Sequence, residues 1–259
     1  MRLAVAIGND NYKNLARLNS AGKDAQAMAQ RLQQMNFEIL QRDAAGELGW
    51  AASLEAAHVA NASRRDFSQI VRTLRARIEE TPSYYQLITF WYFNGYGFVV
   101  DGRPYMVPVT PAQGGPDLTC SQELTMAMVN KAAKCVMDLS ILLSNSAQRN
   151  LHSIFVLDSC HVHVNVSAGG TGQSTRLRSA SAEQRHDSAC VLFAHRRGAH
   201  AADTSMDGQS AFTARLLEEL KPGRTIRQVY DHVASQLGPE QRPQLLEEME
   251  QLGGSELRF

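Results

Sequence analysis

Three short stretches of this sequence combine side chains capable of chemistry: 94–97 (NGYG), 158–161 (DSCH) and 195–198 (HRRG). Each follows an apolar run that predicts a buried strand. Cys160 is the candidate nucleophile. Most buried cysteines are only small apolar residues, but a position at the end of a strand favours a reactive role. Because the thiolate is the attacking species and a free thiol has a pKa of about 8.5, Cys160 needs a base or a positive charge beside it.

The elements that must position these stretches alternate along the chain. The sequence predicts strands at 2–7, 37–40, 87–93, 154–157, 189–194 and 256–259, and a hairpin over 98–107 that turns at Asp101-Gly102. It predicts helices near 20–35, 63–78, 119–150 (in two pieces), 210–220 and 225–237, with Ser20 as an N-cap and capping boxes starting at Ser63 and Thr225. Residues 43–62 and 162–187 lack a period and are predicted to be loops.

Strands that alternate with amphipathic helices predict an α/β fold, here a mostly parallel six-stranded sheet with helices on both faces. In sheets of this kind, ligands bind at the carboxyl ends of the strands. We therefore expect the three polar stretches to meet at one edge of the sheet, within a single domain over residues 1–259.

Composition excludes several classes of partner. The 26 basic and 26 acidic residues give a formal net charge of zero, which argues against nucleic acid and anionic membranes as ligands. The first apolar run is too short for a signal or a membrane span, so we expect a cytoplasmic protein. Four scattered cysteines in no metal-binding spacing predict reduced thiols, no metal site and no cofactor.

Five stretches in this order resemble the caspase-like cysteine peptidases, most closely the metacaspase and orthocaspase branch: LAVAIGNDNYKNLARLNSAGKDAQAM, YFNGYG, VVDGRPYMVPV, FVLDSCH and HAADTSMDGQSAFTARLLEEL. The resemblance implies a caspase-like three-layer sandwich. It divides the chain into a large-subunit-like part (1–161), a flexible intersubunit-type loop (162–187) and a small-subunit-like part (188–259). Family members dimerise through an edge strand or remain monomers, and the sequence leaves both open.

The family uses a cysteine and a histidine, and the resemblance places Cys160 at the nucleophile. Tyr96 occupies the histidine's place between Gly95 and Gly97. The resemblance also implies an oxyanion hole formed by the backbone N–H groups of Gly97 and Cys160. The second half of the dyad is therefore replaced while its surroundings are retained.

The resemblance further implies a pocket for a basic residue. Asp158 and Asp24 match acids that recognise Lys or Arg before the scissile bond, although a strand-end acceptor and a helix-start charge are equally good readings of the two. Asn94 stands where the family usually has serine, and Ala21 where some members have a cysteine. The acidic cluster that binds calcium in some metacaspases has no counterpart in 167–181, so calcium dependence is not implied.

A tyrosine is a poor substitute for the imidazole. With an unperturbed pKa of about 10, roughly one phenol in a thousand is ionised at pH 7, and losing a positioned base costs about a hundredfold to ten-thousandfold in rate. His195 is an alternative base at the end of the neighbouring strand. His163 is close in sequence, whereas His161 points away from Cys160 on an extended backbone.

Two functions remain open from the sequence. The first is a weak or inactive pseudo-peptidase that binds a peptide or protein ligand with basic residues in a binding or regulatory role. The second is an active cysteine endopeptidase that cleaves after Arg or Lys with another base such as His195, with self-cleavage at Arg176, Arg178 or Arg185 in the intersubunit-type loop. A nucleotide-binding module is disfavoured because no phosphate-binding glycine motif follows a strand.

Overall fold

The computed structural model describes the chain apart from residues 44, 52–57, 101–102, 111–122, 137–149, 162–164, 167–187, 195–207, 239–240, 242 and 248–257. In chain order, the elements are β1 (Arg2–Gly8), α1 (Ala21–Gln34), β2 (Glu38–Arg42), β3 (Leu48–Trp50), β4 (Val59–Ala60), α2 (Arg64–Glu80), β5 (Leu87–Val100), β6 (Arg103–Met106), β7 (Glu123–Leu124), α3 (Met126–Ala132), β8 (Lys134–Cys135), β9 (Leu151–His161), β10 (Asn165–Val166), β11 (Ser188–Phe193), α4 (Ala211–Glu219), α5 (Ile226–Gln236) and β12 (Gln244–Glu247). No helix in these described ranges is long and apolar enough to cross a membrane.

One mixed sheet organises the described residues. Its main path runs β12-β11-β9-β5-β1-β2-β3, and β1, β2, β5, β9 and β11 are parallel to one another. The antiparallel strands β12 and β3 flank this parallel core. The expected α/β fold is confirmed, but the sheet has ten strands rather than six. The predicted hairpin supplies β6, and β3, β4 and β8 extend the sheet with pairings of two or three residues, which are too short to show a pattern in the sequence.

Side chains of the sheet alternate between two helical layers. Phe90 and Val156 lie in the buried cluster that α1, α4 and α5 cover. Trp91 and Phe155 lie in the opposite cluster, which α2 covers, and their rings stack with centroids 5.9 Å apart. A strand covered on both faces must be apolar at successive positions, which explains the continuous apolar run of β5.

Local capping fixes where the helices begin. The capping box predicted for α2 is present: the Asp66 N–H donates to Ser63 Oγ, and the Ser63 N–H donates to Asp66 Oδ2 at 2.7 Å. The box of α5 is also present. Ser20 is the N-cap residue of α1, but its side chain makes no capping bond. The Asp10 carboxylate takes that role from a distance, because it accepts the N–H groups of Ala21 and Gly22 at 3.0 and 2.9 Å.

The glycine-flanked segment 95–97 is not a turn. The strand expected at 87–93 continues without a break for 14 residues, and then pairs antiparallel with β6 as the predicted hairpin requires. Glycine is needed at positions 95 and 97 because neighbouring side chains leave no room for a Cβ atom. A Cβ on Gly95 would lie 2.4 Å from Tyr12 Oη, and one on Gly97 would lie 2.9 Å from the Ser159 side chain.

Four further expectations differ, in whole or in part, from the described structure. The segment 43–62 contains β3 and β4 rather than only a loop. Within 119–150, the structure describes one helix, α3, between the short strands β7 and β8, while 137–149 lies outside the described residues. Of the edge strand expected at 256–259, only residues 258 and 259 are described, and Arg258 forms an isolated bridge with Thr225 rather than part of a ladder. The strand that pairs with β11 at the edge of the sheet is β12. Within the predicted loop 162–187, the described strand β10 pairs with β7.

Candidate active site

The register of the central strands brings two of the three polar stretches together. On β5 and β9, Asn94 lies opposite Asp158, and Tyr96 lies opposite Cys160. Adjacent strands are about 4.8 Å apart, so these residues are immediate neighbours. Gly97 and Cys160, the two residues predicted to form the oxyanion hole, are not paired with each other. Gly97 pairs with His161, the residue after Cys160. His195 and His163 lie outside the described residues, as do Arg176, Arg178 and Arg185.

A pair of buried acidic residues lies beside the paired positions Tyr96 and Cys160. Asp24, from the first turn of α1, is fully buried, and Asp158 is 4% exposed. The Asn94 side chain joins them: its Nδ2 donates to Asp24 Oδ2 at 2.9 Å and lies 3.5 Å from Asp158 Oδ2. The structure therefore brings together all three residues predicted for the basic-residue pocket.

The start of α4 completes the acidic cluster. The Ser210 N–H donates to Asp24 Oδ2 at 3.0 Å, and the Ser210 hydroxyl donates to Asp158. Thr213 Oγ1 donates to Asp158 Oδ2 at 2.7 Å. Because the single hydroxyl hydrogen of Thr213 is used in that bond, the Tyr92 hydroxyl, 2.5 Å away, must donate to Thr213.

Sequence reasoning missed Ser210, Thr213 and Tyr92 as members of this cluster. Ser210 was recognisable as an N-cap, and it does cap α4 by accepting the Thr213 N–H at 3.0 Å. No local signal shows that the same hydroxyl reaches a carboxylate 52 positions earlier in the chain.

Burial dominates the electrostatics of the cluster. Burial, and after it the Asp158 carboxylate, raise the pKa of Asp24 to about 7 from its ordinary 3.8, against the opposing effect of the Ser210 N–H and the Ser20 hydroxyl. Burial, followed by the Asp158 and Asp24 carboxylates, raises the pKa of the Tyr92 phenol well above its ordinary value. Tyr92 is therefore a neutral donor, and near pH 7 Asp24 changes between its neutral and charged forms.

Tyr96 is held by a second tyrosine. The rings of Tyr96 and Tyr12 meet edge to face with centroids 4.9 Å apart. The Tyr96 N–H donates to Tyr12 Oη at 2.8 Å, and Tyr12 Oη donates to the Val107 carbonyl at 3.1 Å. Tyr12 thus fixes both the backbone and the ring of Tyr96, and sequence reasoning gave it no role.

The fold and site define the class of protein. A mostly parallel sheet with helices on both faces carries a cysteine and a buried acid near the end of one strand, next to the glycine-flanked tyrosine within another. A family model described as the caspase domain matches residues 1–252. The chain belongs to the caspase domain family.

Solved structures share this fold at low sequence identity. The crystal structure of protein GSU0716 from Geobacter sulfurreducens is 13% identical, with a TM-score of 0.59 over 95% of this chain and 92% of that one. Caspase-1 from Spodoptera frugiperda is also 13% identical, with a TM-score of 0.57 over 95% of this chain and 85% of that one. Among curated proteins, no sequence matches the chain significantly.

Proposed function

We propose that this protein is a caspase-family pseudo-peptidase of the metacaspase type. It holds an arginine or lysine side chain of a cytoplasmic peptide or protein partner at the acidic pair, and it cleaves that partner slowly or not at all. It needs no metal and no cofactor. The observation that carries the proposal is the register of β5 and β9, in which Tyr96 takes the position opposite Cys160 where the family resemblance expects a histidine.

The chemistry of the phenol supports loss of turnover. Cleavage by a cysteine nucleophile requires a group that removes the thiol proton and then protonates the leaving amine. A phenol with a pKa of about 10 is ionised in roughly one molecule in a thousand at pH 7, so it donates protons but hardly accepts them. The contacts of Tyr96 with Tyr12 support a packing role for this ring.

The acidic pair supports recognition of a basic residue. Asp24 and Asp158 come from different elements and meet beside the nucleophile position. A guanidinium or ammonium group satisfies carboxylates through charge-assisted hydrogen bonds, which are the strong ones. A ligand side chain that reaches this pair places its backbone next to β5 and β9.

A second candidate function rests on what the site retains. The chain retains Cys160, Gly97 and both acids, which favours an active endopeptidase specific for Arg or Lys if another base, such as His195, replaces the missing imidazole. The two functions differ in one measurable property, the turnover of the wild-type protein.

Fluorogenic peptides that end in Arg or Lys test the proposal. We expect no cleavage by the wild-type protein above the background of Cys160→Ala, and we expect cleavage to appear in Tyr96→His. Peptides that end in Ala or Asp are the control for the acidic pocket. Efficient wild-type cleavage of the basic peptides, abolished in Cys160→Ala, would establish the second candidate function instead.

A further inference from the structure

The acidic pair already has an internal occupant. A single nitrogen, Asn94 Nδ2, lies within hydrogen-bond distance of an oxygen on each carboxylate, 2.9 Å from Asp24 and 3.5 Å from Asp158. The same nitrogen lies 3.4 Å from Tyr92 Oη. These acceptors surround the point where the nitrogen of a bound lysine or arginine would have to lie, since such a nitrogen bonds carboxylate oxygens at about 2.7–2.9 Å.

Two nitrogen atoms cannot share this point. Asn94 is 5% exposed and Asp24 is fully buried, so the described residues pack closely around the amide. A basic ligand that bonds both carboxylates must therefore displace the Asn94 amide. The Asn94 amide is held in the cluster through its nitrogen, which donates to Asp24 Oδ2.

We propose that Asn94 is a built-in competitor for the basic-residue pocket: its amide nitrogen takes the place of the ligand's cationic nitrogen and sets the pocket's affinity for arginine and lysine. The inference rests on the proposed function, because it concerns the regulation of that same pocket. Above about pH 7, where Asp24 is charged, its hydrogen bond from Asn94 Nδ2 is one to a charged acceptor and is worth roughly ten- to a hundredfold in an equilibrium constant. The ligand must break that bond, so its affinity falls by about this factor.

Substitution by serine removes the competitor and keeps a polar group on β5. The serine hydroxyl is one bond shorter than the asparagine amide and cannot reach the point between the carboxylates. Asn94→Ala removes the hydrogen-bonding group altogether and serves as the second variant. The matched control is Asn11→Ser, which makes the same chemical change at an exposed position outside the cluster.

The experiment measures binding by fluorescence anisotropy with a labelled peptide that ends in arginine, and with the same peptide carrying citrulline, a neutral residue of the same shape. We expect Asn94→Ser and Asn94→Ala to bind the arginine peptide at least about tenfold more tightly than the wild type. Asn11→Ser should equal the wild type, and no variant should change the affinity for the citrulline peptide. Circular dichroism verifies that each variant is folded.

Two results would overturn the inference, and they are distinguishable. In the first, the wild type binds the arginine peptide, Asp158→Asn does not bind it, and neither Asn94 variant binds it more tightly than the wild type. The pocket then exists, but Asn94 does not compete for it. If neither the wild type nor the Asn94 variants prefer arginine to citrulline, the basic-residue pocket of the proposed function fails, and the competitor fails with it.

Discussion

Replacing Asp24 by asparagine should stabilise the protein at alkaline pH. Asp24 is fully buried beside Asp158, and its pKa is raised from 3.8 to about 7. Asparagine keeps the shape of the side chain and its acceptor for the Ser210 N–H, but it cannot ionise. The variant therefore removes the cost of a buried charge without opening a cavity.

The sign and size of this stability change follow from the linkage between protonation and folding. Between pH 3.8 and about 7, folded Asp24 keeps its proton while the unfolded carboxyl has lost it, so the contribution of this group is complete below pH 3.8 and is lost as the pH rises through about 7. The whole shift corresponds to about 4 kcal/mol, because one pKa unit is worth about 1.4 kcal/mol. The stability difference between Asp24→Asn and the wild type should grow by about 2–3 kcal/mol from about pH 5 to about pH 8.

Urea denaturation at several pH values measures this difference, with the fluorescence of the buried Trp91 as the signal. The control is Asp231→Asn, which removes an exposed carboxylate on α5. Its stability difference from the wild type should change little over the same range. A difference between Asp24→Asn and the wild type that stays constant with pH would refute the assignment of a shifted titration to Asp24.

Two further predictions concern packing. Phe259→Ala should cost about 3–5 kcal/mol of unfolding free energy, because this ring is 4% exposed and packs on Phe90 with centroids 6.0 Å apart. Gly95→Ala should cost about 1–3 kcal/mol, because the new Cβ would lie 2.4 Å from Tyr12 Oη and must displace that ring.

Matched variants at open positions serve as controls for both predictions. Tyr84 is 76% exposed, so Tyr84→Ala should leave the urea midpoint almost unchanged. Gly49 is also in a strand, and a Cβ there meets no atom within 4 Å, so Gly49→Ala should be neutral or slightly stabilising. Equal effects at Gly49 and Gly95 would contradict the close approach of Tyr12.

Local patterns predicted the elements that carry strong local signals. The capping boxes at Ser63 and Thr225 place their side chains within one helical turn of the groups that they satisfy, so the sequence alone determines them. The proximity of Asn94 and Asp158 was likewise predictable, because each follows an apolar run and the carboxyl ends of parallel strands share one edge of a sheet, although both strands continue beyond these residues.

The features that escaped prediction depend on contacts distant in sequence. The strand predicted at 87–93 was too short, and the need for glycine at 95 and 97 comes from Tyr12 and Ser159, which approach from other parts of the chain. Ser210 and Thr213 join the acidic pair only after α4 docks on α1, and no pattern in either helix shows that contact. The strand β12 beside β11 was not predicted, whereas the alternating polar and apolar residues at 256–259 suggested a strand at a place where Arg258 forms only an isolated bridge.

The most direct test of the central claim is the reactivity of the Cys160 thiol as a function of pH. Alkylation of this residue by iodoacetamide, followed by mass spectrometry of its peptide, gives the thiol pKa, and Cys160→Ala identifies the signal. A thiol without a base beside it should show the pH midpoint of an ordinary cysteine, whereas Tyr96→His should lower that midpoint. A wild-type midpoint below about 7 would show that another group activates Cys160, and would contradict the claim that Tyr96 leaves the nucleophile without a base.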